Sequence, residues 1–135
     1  MTTAPNDPPE RGTTVPDHDE LARRYVELWN EPDPARRRAE IDALFAPGIA
    51  HRSPTLEADG RAAMADRVAA SHRKWVRDSG HEFRALPGAD GHHGTVRLRW
   101  EMVHAASGER VSLGFDFLTL DADGLILSDH QFVDG

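Results

Sequence analysis
The chain has 135 residues, a formal net charge of −7 and no cysteine, with 29% charged and 39% hydrophobic residues. That predicts one domain with a core of its own and excludes disulfides, thiolate metal sites and cysteine nucleophiles, while the acidic balance disfavours nucleic acid as a partner. No apolar run approaches the roughly 20 residues of a membrane span and no signal-peptide core precedes the body, so a cytoplasmic protein without a membrane partner is expected.

Residues 1–16 hold four of the nine prolines and, after Met1, no large apolar residue except Val15. Such a segment cannot bury enough surface to offset its ordering, which predicts a flexible N-terminal tail. The folded body is then residues 17–135. Asp17, with Glu20 three residues on, has the capping-box spacing. Leu21, Tyr25, Leu28 and Trp29 follow at one helical face. Asn30-Glu31-Pro32 stops this helix, and Asp33-Pro34 starts a second, with Asp as cap and Pro in the first turn. Ile41, Leu44 and Phe45 give it a buried stripe, and Ala46-Pro47-Gly48 is expected to end it.

A short strand is predicted over Ile49 to Ser53, closed by Pro54. A third helix is predicted over Arg61 to Arg77, with Met64, Val68, His72 and Trp75 at helical spacing. Strands are predicted over His81 to Leu86, Thr95 to His104, Arg110 to Leu120 and Leu125 to Val133. In the second of these, Val96, Leu98, Trp100, Met102 and His104 alternate with Arg97, Arg99 and Glu101, the period of a half-exposed strand. Gly91-His92-His93-Gly94 reads as a turn, where adjacent histidines share no face, so no metal site is expected. Helices followed by a run of strands is the order of an α+β domain.

The segments ARRYVELWNEPDP (22–34), IDALFAPGIAHRSP (41–54) and GFDFLTLDADGLILSDHQF (114–132) resemble the nuclear transport factor 2-like superfamily. The likeness is strongest to its SnoaL-like and ketosteroid-isomerase-like members. The resemblance implies a cone: a curved antiparallel sheet wrapped around three helices and enclosing an apolar pocket. It also implies a homodimer through the outer sheet face, for which Leu113, Phe115 and Phe117 would be available.

Tyr25 falls where ketosteroid isomerases keep an oxyanion-hole tyrosine. Asp116 falls where they keep a protonated aspartic acid that donates to the same oxyanion. Asp116 could instead be a structural partner of an Arg or His. Their catalytic Asp precedes a proline, and here that position is Ser53-Pro54, which cannot accept a proton as a carboxylate does. His51, two residues earlier, points the same way on a strand and has the intrinsic pKa of a usable base. Against the SnoaL-like cyclases, Asp116 takes the place of a His. Their catalytic Asp corresponds to Gln131, although a one-residue slip would bring Asp129 or His130 inward.

The implied function is cofactor-free and metal-free acid–base chemistry on a small apolar carbonyl compound, either isomerisation or aldol-type ring closure. Tyr25, His51 and Asp116 would be the catalytic set. Ser53, Met64, Val68, Trp75, Trp100, Met102, His104, Leu118 and Gln131 would line the pocket. The alternative is a non-catalytic ligand-binding or dimerisation module of the same fold.

Overall fold
In a computed structural model, which describes residues 17–134, helices α1 (His18–Leu28) and α2 (Pro34–Leu44) come first. Asp17 caps α1 by accepting from the Glu20 N–H at 3.0 Å, but Glu20 turns to Arg23 instead of closing the box. Asp33 caps α2 through the Ala35 N–H, with Pro34 in the first turn. The expected flexible tail, residues 1–16, lies outside the described residues.

Strand β1 (Phe45–Arg52) begins directly after α2. Ala46-Pro47-Gly48, expected to end the helix, therefore lies within a strand. The pairing explains it. Phe45 faces Ile126 and Ala50 faces Ser128, so residues between them bow out of the ladder. Proline, which has no N–H to give, is tolerated in such a bulge. A short β2 (Glu57–Asp59) returns beside β1 before α3 (Arg61–Ser71). The third helix does not stay α-helical to Arg77, because His72–Arg77 is wound as a π-helix.

Strands β3 (His81–Ala85), β4 (Asp90–His92), β5 (Thr95–His104), β6 (Arg110–Leu120) and β7 (Ile126–Asp134) complete the chain. The sheet order is β2-β1-β7-β6-β5-β3, with β4 also on β5. Every pairing is antiparallel except β1 with β7, which is parallel. The curved sheet is thus mixed and unclosed rather than purely antiparallel. The residues read as a Gly-His-His-Gly turn divide between β4 and a two-residue loop, His93 and Gly94, both with positive φ. That is the backbone geometry the right-handed twist of a hairpin favours.

The helices cover the inner face of the sheet. Tyr25, Val26, Ile41, Leu44, Met64 and Val68 pack on Phe45, Ile49, Leu98, Leu118 and Ile126. Asn30, just past α1, bonds both ways to the Phe83 backbone, donating at 2.7 Å and accepting at 2.8 Å. This fixes the end of α1 on β3. Among the described residues no helix is long and apolar enough to cross a membrane.

Candidate active site
The cavity left between the helices and the sheet measures about 650 Å³, within the usual range for a small-molecule site. Its wall includes Val26, Trp29, Trp75, Phe83, Trp100 and Met102, and is mostly apolar. All three tryptophans of the chain lie on it. The polar members are Tyr25, Ser53, Thr55, Arg67, Ser71, Lys74, Ser112 and Gln131.

Tyr25, the single tyrosine, links this wall to a buried polar cluster. The alternation along β6 and β7 turns Asp116 and Asp129 inward, both fully buried. The Tyr25 hydroxyl lies 2.5 Å from Asp129 Oδ2 and 3.0 Å from Asp116 Oδ2. Trp100 Nε1 donates to Asp116 Oδ1 at 2.8 Å. His51 Nδ1 lies 2.9 Å from Asp129 Oδ2. Trp100 reaches this position because its cross-strand neighbour is Gly114. A Cβ at Gly114 would fall 2.1 Å from the indole.

One phenolic proton cannot bond two carboxylates at once, so the cluster needs an acid proton. Burial, and then the charge of Asp129, hold Asp116 well above the usual carboxylate range. Burial raises Asp129 as well, but hydrogen bonds from Asp116 and Tyr25 and the positive charge of Arg67 oppose the rise. Asp116 is therefore the carboxyl that keeps the proton, and Asp129 is the one that ionises. Burial, and then the positive charge of Arg67, lower His51 to about 4. A neutral imidazole on a carboxylate is a donor through Nδ1–H, so the His51–Asp129 contact is a hydrogen bond and not an ion pair. In this arrangement Asp129 receives Tyr25 and His51, and the Asp116 acid proton faces the Tyr25 oxygen at 3.0 Å. Burial first, and then the charges of Asp116 and Asp129, keep the Tyr25 phenol well above its ordinary value.

These positions change several expectations. Ser53, Trp75, Trp100, Met102 and Gln131 lie on the cavity wall, as does Tyr25. His51 and Asp116 do not; they sit behind it, fully buried. Ser53 makes no hydrogen bond to His51. Its Oγ accepts from the Leu56 N–H at 3.1 Å and closes the turn after β1. Met64, Val68 and Leu118 are fully buried core rather than lining. His104 is exposed. A register shift between Met102 and Val103 turns Val103 inward and leaves His104 outward. Asp116 pairs with neither an Arg nor a His. The open choice on β7 resolves to two residues, since Asp129 is buried, Gln131 lies on the cavity wall and His130 is exposed.

Asp129 and Arg67 are the functional candidates that periodicity alone did not select. Asp129 is the centre of the cluster. Arg67 stands three residues after Met64 and four before Ser71, flanking the buried face of α3. That spacing was a usable signal. Its guanidinium carbon lies 5.3 Å from the Trp29 ring centroid, and Nη2 approaches Gln131 Oε1 at 3.4 Å.

A model of the SnoaL-like domain matches residues 22–128. A proposed isomerase of the SnoaL-like family from Agrobacterium tumefaciens is similar to this chain, at 28% identity and TM-score 0.80. The match covers 87% of this chain and 97% of that one. A proposed SnoaL-like polyketide cyclase from Jannaschia sp. shares the fold at 16% identity and TM-score 0.65, covering 90% of each chain. A nuclear transport factor 2-like protein of unknown function from Exiguobacterium sp. does so at 22% identity and TM-score 0.65, covering 84% of this chain and 98% of its own. No curated protein shows significant similarity to the sequence.

Proposed function
The chain belongs to the SnoaL-like family, and on that premise we propose that it holds a small, largely apolar, oxygen-bearing ligand in the cavity and carries out acid–base chemistry on it. The reaction class is isomerisation or aldol-type ring closure. Tyr25 is the group that meets the ligand oxygen. The observation that carries this reading is Tyr25, a residue of the cavity wall whose hydroxyl lies 2.5 and 3.0 Å from two buried carboxyls.

The chemistry follows from those neighbours. No side chain of the described wall serves as a base, so the carbon-bound proton passes to solvent in the cavity. As negative charge develops on the ligand oxygen, Tyr25 turns its proton toward it, and the acid proton of Asp116 moves in behind onto the Tyr25 oxygen. The charge is then spread over a preorganised set of donors rather than left on one phenol. A single such donor is worth roughly 3–4 kcal/mol where it has been removed in other enzymes. His51 and Trp100 are positioning residues: they hold Asp129 and Asp116 by hydrogen bonds at 2.9 and 2.8 Å. Direct proton abstraction by His51 is set aside, because the ring lies behind the wall.

One observation favours the second reading, a ligand-binding module without chemistry: among the described residues no Asp, Glu or His lines the cavity. The two readings separate in deuterated water. Small cyclic ketones are incubated with the protein, and exchange of the protons next to the carbonyl is followed by NMR. Exchange above background that disappears in Tyr25→Phe supports the enzyme. Ketone binding without exchange supports the module.

The proposed assembly is a homodimer through the outer face of β6 and β7. There Phe117 and Phe132 are 43% and 52% exposed and pack edge to face at 5.8 Å. Exposed aromatics gathered on one sheet face are the usual mark of an interface.

A further inference from the structure
The charge on the cavity wall runs against the charge of the chain. The protein as a whole carries −7, yet among the described residues the charged ones lining the cavity are Arg67 and Lys74, with no acid beside them. Lys74 is the only lysine in the sequence. It lies at the exposed rim, its Nζ 4.7 Å from the Trp75 ring centroid.

Arg67 is the deeper of the two and is poorly satisfied. A guanidinium offers five N–H donors. The described protein partner is Gln131 Oε1, at the long distance of 3.4 Å. Nε is buried with no partner. No carboxylate among the described residues comes within ion-pair distance of it. Asp129 and Asp116 are the acids whose charge reaches it. Asp129 Oδ2 is taken by Tyr25 and His51, its Oδ1 is buried without a partner yet outside ion-pair distance of Arg67, and Asp116 keeps its proton. The neighbouring Trp29, over which the guanidinium stacks, also has its indole N–H buried without a partner. Two adjacent lining side chains thus hold unmet donors, one of them cationic, at the wall of an otherwise apolar cavity. Unmet buried donors are costly and call for an acceptor that arrives with the ligand.

We propose that the ligand is an amphipathic organic anion: a ring-bearing apolar body with one carboxylate, which docks on Arg67 in the cavity between α3 and the sheet. Guanidinium and carboxylate match in a two-point fork. Lys74 at the rim adds attraction on the way in. The inference names the substrate class of the site proposed above and rests on the cavity being a ligand site.

The test uses the full chain and matched pairs of probes, each an aryl- or cycloalkyl-alkanoate with its neutral primary amide, beginning with 3-phenylpropanoate and 3-phenylpropanamide and rising to three-ring bodies. Binding is read by tryptophan fluorescence, since all three tryptophans face the cavity. The carboxylate should bind about tenfold tighter than its amide or better, the worth of one charge-assisted contact. Added salt should narrow the gap. Arg67→Gln should erase the preference and Arg67→Lys should restore part of it. The wild-type pair decides the matter even where Arg67→Gln folds poorly. Amides that bind as tightly as the acids, or a preference that survives in Arg67→Gln, overturn the anion and leave the apolar site standing. Failure of every pair to bind removes the cavity reading and the anion with it.

Discussion

The hydroxyl of Tyr25 lies 2.5 Å from Oδ2 of Asp129, across 104 residues of chain. This bond joins the first helix to the last strand at the point where the apolar cavity meets the buried acids. Its partner atom also receives His51, at 2.9 Å. A carboxylate so buried is tolerable only because donors converge on it.

Tyr25→Phe keeps the ring and removes the bridge. A buried hydrogen bond to a charged group is worth roughly 1.5–3 kcal/mol. The variant should lose stability in that range by urea denaturation, with the fold retained in circular dichroism. Unchanged stability would mean that the hydroxyl does not carry the charge of Asp129.

The two carboxyls should respond unequally to amidation. Asp116 keeps its proton, and an asparagine amide can imitate a carboxylic acid in both its accepting and its donating atom. Asp116→Asn should cost about 1 kcal/mol or less, on the scale of a single ordinary hydrogen bond. Asp129→Asn removes the charge on which Tyr25 and His51 converge and should cost more, roughly 1.5–3 kcal/mol for each of those hydrogen bonds to a charged group. A larger cost at Asp116 than at Asp129 would place the proton on Asp129.

The pH dependence has two opposing parts. His51 falls from 6.5 to about 4 in the folded protein, so between those values the unfolded chain binds a proton that the native state refuses. Its contribution to stability is complete above 6.5 and is lost as pH falls toward 4. Asp116 and Asp129 are raised, and they act in the opposite direction. Their contribution is present below the ordinary carboxylate range and fades as pH rises through their folded values. His51→Asn isolates the first part. The stability of wild type relative to this variant should grow by about 3 kcal/mol between pH 4 and 6.5, measured by denaturation at each pH. A flat difference would show that His51 is charged in the native state.

Gly114→Ala tests the packing beneath the cluster. The new methyl would sit 2.1 Å from Cζ2 of Trp100, so the indole must move and loosen its 2.8 Å bond to Asp116. Overpacking of this kind costs roughly 1–3 kcal/mol. The tryptophan emission maximum should shift along with the loss in stability. A silent substitution would mean that the ring position is not set by the glycine.

The proposed dimer is tested by placing a charge on the outer face. Phe117→Glu or Phe132→Glu should give a monomer in sedimentation where the wild type sediments as a dimer. A wild type that is monomeric at micromolar concentration would end that proposal.

Much of the fold was legible because it rests on local rules. The Asp17 and Asp33 caps, the stripe of Tyr25, Leu28 and Trp29, and the alternation of Val96, Leu98, Trp100 and Met102 all reappear in space. The errors fall where a partner strand overruled the local pattern. Pro47 reads as a helix terminator, but pairing with β7 draws it into a strand. His104 keeps the alternation of its strand in sequence, and a bulge one residue earlier turns it out. Ser53 and His51 stand two apart on one run, but the strand ends at Arg52 and separates them.

The resemblance to ketosteroid isomerases, not a local pattern, paired Tyr25 with Asp116. The sequence by itself determined the order of the elements and the apolar faces that must meet. It carried that much because periodicity and capping are written within a few residues of each other. Only the tertiary structure decided that Asp129 and Gln131 both turn inward, that His51 lies behind the cavity wall, and that Arg67 stands on the wall with no carboxylate of the described residues within ion-pair distance. Each of those depends on strand register and on burial between segments far apart in the chain. Neither is encoded by any one segment alone.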